Sequence, residues 1–143
     1  VDFKNILIVC VGNICRSPMA AAMMASKYPL KEINSAGVSA LVGYPADSIA
    51  IEVMAEYGTD ISNHTAQQID ELLVRNADLI LTMSIKQKRW IEEQWPHCRG
   101  KVFRIGHWIN KDIKDPYGKD KQAFEVVRRD LEDSLEHWVY KIS

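Results

Sequence analysis

In VCVGNICRSP (9–18) a cysteine and an arginine, Cys10 and Arg16, stand with five residues between them. These are the residue types needed to transfer an oxyanion group to sulfur. Gly12 lets the intervening backbone adopt torsions that other residues resist and lets it approach a ligand closely. A tight loop running into a helix turns several backbone N–H groups inward, and with the helix dipole they form an anion site. Arg16 adds a planar fork that grips two oxygens at once. A cysteine at the floor of such a bowl is a nucleophile aligned with the bound anion, because thiolates are favoured near helix N-terminal amides and arginine. The nucleotide-binding loop G-x-x-x-x-G-K-[ST] is the obvious rival. GNICRSPM has neither its second glycine nor its lysine. An inert reading also exists, with Cys10 as a small core residue and Arg16 on the surface.

A departing alkoxide or phenoxide needs a proton, and DPYGKD (115–120) offers one. Asp115 precedes a proline, which biases it towards extended backbone. A carboxyl group on a loop can reach the mouth of the bowl, with Tyr117 as a wall beside it. Alone, D-P-Y reads as an Asp-Pro turn, and only the cysteine loop gives it meaning.

These residues need a scaffold. NILIVCV (5–11) is continuously apolar and β-branched, which suits a strand buried on both faces. The spacing predicts a helix over 17–28, with Ser17 as N-cap and Pro18 at its first position. Further helices are predicted over 46–58 (stopped by Gly58), 65–77, 84–95 (opened by a Ser84–Gln87 capping box) and 122–140. Strands are predicted over 32–37, 78–83 and 101–106, and a polar loop over 106–120. Strands alternating with helices imply an α/β fold: one domain over 1–143 with an open, twisted, four-stranded parallel sheet and helices on both faces. Ligands of such sheets bind beyond the carboxyl ends of the strands, which is where residues 10–17 fall.

Composition bounds the alternatives. The chain has 143 residues, 47% hydrophobic and 26% charged, enough for one domain with a core. A net charge of −1 leaves no broad basic surface for nucleic acid or anionic lipid. Three cysteines without a C-x-x-C pair argue for a reducing compartment. No apolar run approaches a membrane span, and MAAAMMA (19–25) lacks the basic leader of a signal peptide. A cytoplasmic protein is expected. The start at Val1 rather than Met points to a trimmed or engineered terminus. Cys98 beside His97 matches no zinc spacing. The basic run Lys86 to Arg89 reads as the solvent face of a helix, with docking as the alternative.

VCVGNICRSP followed by DPY about a hundred residues later resembles the low-molecular-weight protein tyrosine phosphatases. SAG (35–37), ISNHTAQQI (61–69) and DLILTM (78–83) extend the resemblance along the chain. ALVGYPAD and GHW (106–108) are similar to the bacterial branch, associated with tyrosine autokinases of capsule and exopolysaccharide export. The resemblance implies that Cys10 attacks phosphorus to form a phosphocysteine, that Arg16 clamps the equatorial oxygens, and that Asp115 acts as general acid and then base. It implies phosphate binding by the backbone of Val11, Gly12, Asn13, Ile14, Cys15 and Arg16, with a hydrogen bond from Ser17 to the Cys10 sulfur. Asn13 would hold the loop with support from Ser35 and His64, and Leu41 and Tyr117 would flank the substrate ring. Cys15 could form a reversible disulfide with Cys10. Neither metal nor cofactor enters this chemistry. The implied partner is a phosphotyrosine protein, such as a bacterial autokinase.

Three positions depart from the pattern. Gly118 stands where eukaryotic members carry a second tyrosine, Leu41 where many carry an aromatic residue, and Ser84, read here as a helix cap, where an acid is common. Two other functions fit parts of the pattern. An arsenate reductase shares the fold and first cysteine but needs relay cysteines, and 78–97 contains none. A non-catalytic phosphotyrosine-binding module would be expected to lose the nucleophile, the arginine or the acid.

Overall fold

The computed structural model describes residues 3–142. Four strands, β1 (Asn5–Cys10), β2 (Glu32–Gly37), β3 (Leu79–Thr82) and β4 (Val102–Arg104), form one sheet in the order β2-β1-β3-β4. All three pairings are parallel. Along β1, Ile6, Ile8 and Cys10 join one core while Leu7 and Val9 join the other. The first core receives α1 (Arg16–Lys27), α2 (Ser48–Glu56) and α5 (Lys121–Glu136) through Met19, Met24, Val53, Phe124 and Leu131. The second receives α3 (Glu71–Asn76) and α4 (Ile85–Gln94) through Val74 and Ile91. The expected α/β architecture, a four-stranded parallel sheet covered on both faces, is the one observed.

Helix starts follow local chemistry in four cases. Asp47, Asp70, Ser84 and Asp120 each accept a hydrogen bond from a first-turn N–H. Gln87 completes the α4 cap by accepting the Met83 N–H at 2.8 Å. Gly58, at φ +80°, ends α2 in the left-handed region that glycine enters without strain.

Three expectations are corrected. Ser17 does not cap α1. The helix begins at Arg16 with no side-chain cap, because the Ser17 hydroxyl is committed to Cys10 and Asn13. The helix predicted over 65–77 forms only at Glu71–Asn76. Upstream of it, Gln67 O accepts the Gly37 N–H and Ile69 N–H donates to Gly37 O, so this stretch extends the sheet edge at β2. Pairing an exposed edge outweighed a helical pattern of modest intrinsic strength. The last helix breaks after Glu136 and resumes as α6 (Val139–Ile142).

Gly37 lies directly beneath the loop that follows β1. A Cβ there would overlap the Val11 carbonyl oxygen and press on Ala40 at 3.1 Å. Both neighbours are held by hydrogen bonds: Val11 O accepts the Ser39 N–H, and the Ala40 N–H donates to Gln68 Oε1. Gly37→Ala is therefore expected to cost about 1–3 kcal/mol and to lower activity by displacing the loop. Thermal denaturation checks this, and an unchanged midpoint would show that the loop yields freely.

Candidate active site

Residues 10–16 connect the carboxyl end of β1 to α1, and the loop is held from outside by its carbonyls. Cys10 O, Val11 O and Gly12 O accept from the N–H groups of Val38, Ser39 and Leu41, each at 3.0 Å. Asn13 O accepts from His64 Nε2 at 2.6 Å, Ile14 O from Asp47 N–H at 2.8 Å, and Cys15 O from Met19 N–H at 3.2 Å. Six consecutive carbonyls thus point away from the bowl. Among the described residues no acceptor takes the N–H of Val11, Gly12, Ile14, Cys15 or Arg16. A ring of such amides is a nest for a tetrahedral oxyanion.

Asn13 makes this turn possible. Its backbone sits at φ 60°, and asparagine tolerates that region better than most residues. Its fully buried amide spends every group: Nδ2 donates to Ser17 Oγ (2.8 Å) and Ser35 Oγ (3.0 Å), and Oδ1 accepts the Gln67 N–H (2.9 Å). Because Ser17 Oγ accepts from Asn13, its own proton is free for Cys10 Sγ, 2.8 Å away. The Asn13 N–H also points at that sulfur, at 3.3 Å. Two donors therefore converge on the Cys10 sulfur. Asn13→Ala removes three hydrogen bonds and the residue suited to the turn, leaving the Ser35 and Ser17 hydroxyls with one partner fewer. A loss of about 2–4 kcal/mol in stability is expected, readable by urea denaturation, together with a fall in kcat. A small change in both would mean that the loop is held by its carbonyl contacts alone.

Arg16 is buried and its fork is divided. Nη1 donates to Ile113 O at 2.8 Å, while Nη2 stands 3.9 Å from Asp115 Oδ2. The first contact ties the acid-bearing loop to the cysteine loop. Asp115 Oδ1 accepts the Tyr117 N–H at 3.0 Å across Pro116, fixing the carboxyl at the loop tip. Further back, Arg104 bridges Asp112 (3.0 Å) and Asn110 (2.7 Å), and Trp138 Nε1 donates to Ile105 O (2.8 Å). Trp108 packs edge-on against Trp138 at 5.5 Å, away from the reaction pocket.

The pocket so formed holds about 240 Å³, with Cys10, Arg16 and Asp115 in its wall and Leu41 and Tyr117 at its exposed rim. Val11, Gly12, Ile14 and Cys15 complete the loop side. The structure brings every singled-out site residue to this loop, its supports or its rim. Sequence reasoning missed the Ile113 carbonyl, the Gln67 N–H and Ser39, which also lines the pocket. A backbone group carries no side-chain signature, and Gln67 lay inside a helical pattern.

All three cysteines are free thiols. Burial, with the nearby Asp47 charge adding to it, pushes the Cys15 thiol up to about 12, so it stays protonated at neutral pH. Cys98 is fully buried in the core on the other face of the sheet from Cys10, its thiol 3.9 Å from Ile91 O. It has no path to serve as a relay cysteine. Among the described residues no cluster of three or more His, Cys, Asp or Glu could hold a metal, and no helix is long and apolar enough to cross a membrane.

The family model described as low molecular weight phosphotyrosine protein phosphatase matches residues 5–143. The chain belongs to that family. The probable low molecular weight protein-tyrosine-phosphatase EpsP of Ralstonia solanacearum is 50% identical over 97% of this phosphatase and 96% of its own length. The crystal structure of the Erwinia amylovora tyrosine phosphatase AmsI superposes with a TM-score of 0.94 at 42% identity, covering 99% of this chain and 94% of that one. Vibrio vulnificus Wzb in complex with benzylphosphonate gives a TM-score of 0.94 at 39% identity, covering 98% and 99%. These relatives place the phosphatase in the bacterial branch of the family. Its activity is that of a cysteine-dependent, metal-independent protein-tyrosine-phosphatase.

Proposed function

We propose that the phosphatase acts through Cys10, Arg16 and Asp115 on the phosphotyrosyl residues of a bacterial tyrosine autokinase that controls exopolysaccharide or capsule production. In the first step Cys10 sulfur attacks phosphorus. The S–P bond forms as the P–O bond to the tyrosyl ring breaks, and the departing electron pair is neutralised by a proton from Asp115. The N–H groups of the loop and the free edge of the Arg16 fork hold the three equatorial oxygens, where charge spreads in a loose transition state. In the second step Asp115, now a carboxylate, takes a proton from water as its oxygen attacks phosphorus. The S–P bond breaks, and Ser17 and the Asn13 N–H receive the sulfur's negative charge.

The observation that carries this reading is the outward anchoring of six successive carbonyls. It leaves the amides and the Cys10 sulfur in one bowl, with Arg16 and Asp115 beside it. The partner assignment rests on resemblance to the bacterial branch. Cys10 and Cys15 line the same pocket, which supports the reversible disulfide. The protonated state of Cys15 argues that it is not the attacking thiol at neutral pH.

The test is hydrolysis of para-nitrophenyl phosphate at mildly acid pH, with EDTA and a thiol present. EDTA-insensitive turnover is expected. A folded protein that binds vanadate but turns nothing over would make the loop a binding cradle. Release of phosphate from the purified, phosphorylated tail of the autokinase tests the partner. An untouched tail beside cleaved aryl phosphate would remove that assignment and leave the chemistry standing.

A further inference from the structure

A groove of about 740 Å³ opens beside the reaction pocket and shares Val11, Arg16, Ser39 and Asp115 with it. Its outer wall is the start of α4, where Ile85, Lys86, Arg89 and Trp90 face it. Lys86 and Arg89 are exposed, and among the described residues neither makes an ion pair or side-chain hydrogen bond. Their neighbour Lys88, by contrast, is paired with Glu92 at 3.0 Å. The wall is fixed in place: Ser84 caps the helix, Gln87 accepts the Met83 N–H, and Trp90 stands edge-on to Trp95 at 5.9 Å. Glu93 is the one acid on this wall.

We propose that this groove receives the polypeptide flanking the phosphotyrosine and selects acidic side chains there. The inference rests on the phosphatase reading above and names a substrate preference for that site. A phosphotyrosine seated over Cys10 must bring its own backbone out past the pocket mouth. At about 3.3–3.6 Å per extended residue, the next few residues fall within a groove continuous with the pocket. Two unpaired cations on a rigid helix face complement carboxylates. The aromatic and aliphatic surface of Trp90 and Ile85 gives the same segment an apolar contact. The chain's net charge of −1 means that attraction of an acidic segment comes from these local cations rather than from a general field.

The experiment compares kcat/KM for para-nitrophenyl phosphate, a phosphotyrosyl peptide with glutamates flanking the tyrosine, and the same peptide with glutamines. Wild type, the Lys86→Ala/Arg89→Ala double variant and the Lys86→Arg/Arg89→Lys exchange are measured at low and high salt. Wild type is expected to favour the acidic peptide by roughly 5- to 10-fold at low salt, with the preference shrinking as salt rises. The alanine double variant should lose that preference while hydrolysing the aryl phosphate at the wild-type rate, and the charge-conserving exchange should keep most of it. Equal rates on the two peptides in wild type, or equal losses on both in the double variant, would overturn the groove assignment alone. Wild type inactive on all three substrates would overturn the phosphatase reading and this proposal with it.

Discussion

Cys10→Ser is expected to lower turnover of aryl phosphates by roughly 10⁴-fold or more while leaving anion binding in place. The serine oxygen is a poor nucleophile without an adjacent base, and the two groups nearest the sulfur are a hydroxyl and an amide, neither able to take its proton. The bowl itself does not depend on the sulfur. Its carbonyls are anchored by residues 38–47, His64 and Met19, and Arg16 is held by Ile113. Phosphate should therefore bind the variant with affinity close to wild type, measured by calorimetry. Turnover surviving the substitution would mean that Cys15 or a water attacks phosphorus. Loss of anion binding along with turnover would mean that the thiol organises the loop.

Asp115→Asn is expected to slow hydrolysis of phosphotyrosine, whose leaving group needs a proton, by about 10²–10⁴-fold. Dinitrophenyl phosphate, whose leaving group departs unaided, should lose far less. The substitution is gentle structurally. An asparagine oxygen can still accept the Tyr117 N–H, and the contact to Arg16 spans 3.9 Å from a half-exposed carboxyl, a pairing worth under about 1 kcal/mol. The variant should therefore melt close to wild type. An equal loss for good and poor leaving groups would sink the general-acid assignment and would instead assign Asp115 to positioning Arg16 or the substrate.

The local parts of this site could be read along the chain. An apolar β-branched run became β1, C-x₅-R became the loop, and the Ser84 cap and the Gly58 stop fell where their chemistry placed them. Such features depend on a residue and its near neighbours, so a linear reading captures them. Asp115, which lies about a hundred residues from Cys10, was legible only by pairing DPY with the cysteine loop, and the family resemblance strengthened that reading. Spacing alone would have left it in an Asp-Pro turn.

Other features were decided only in three dimensions. Residues 65–70 carry a helical pattern, yet the unpaired edge at Gly37 takes Gln67 and Ile69 into backbone pairing, since a buried N–H or C=O left unbonded costs more than a few residues of helix return. Ser17 looks like a helix cap in the sequence. The buried amide of Asn13 and the sulfur of Cys10 claim its hydroxyl instead, and α1 starts without a cap. Ile113 offers Arg16 a carbonyl, which every residue has, so only the folding of the acid loop against α1 could single it out. Residue types and their spacing along the chain identify which groups could do the chemistry. Folding then sets which way their amides and carbonyls face, because apart from the local Cys15 O contact to Met19 the groups that hold them, such as His64 and Ile113, come from distant parts of the chain.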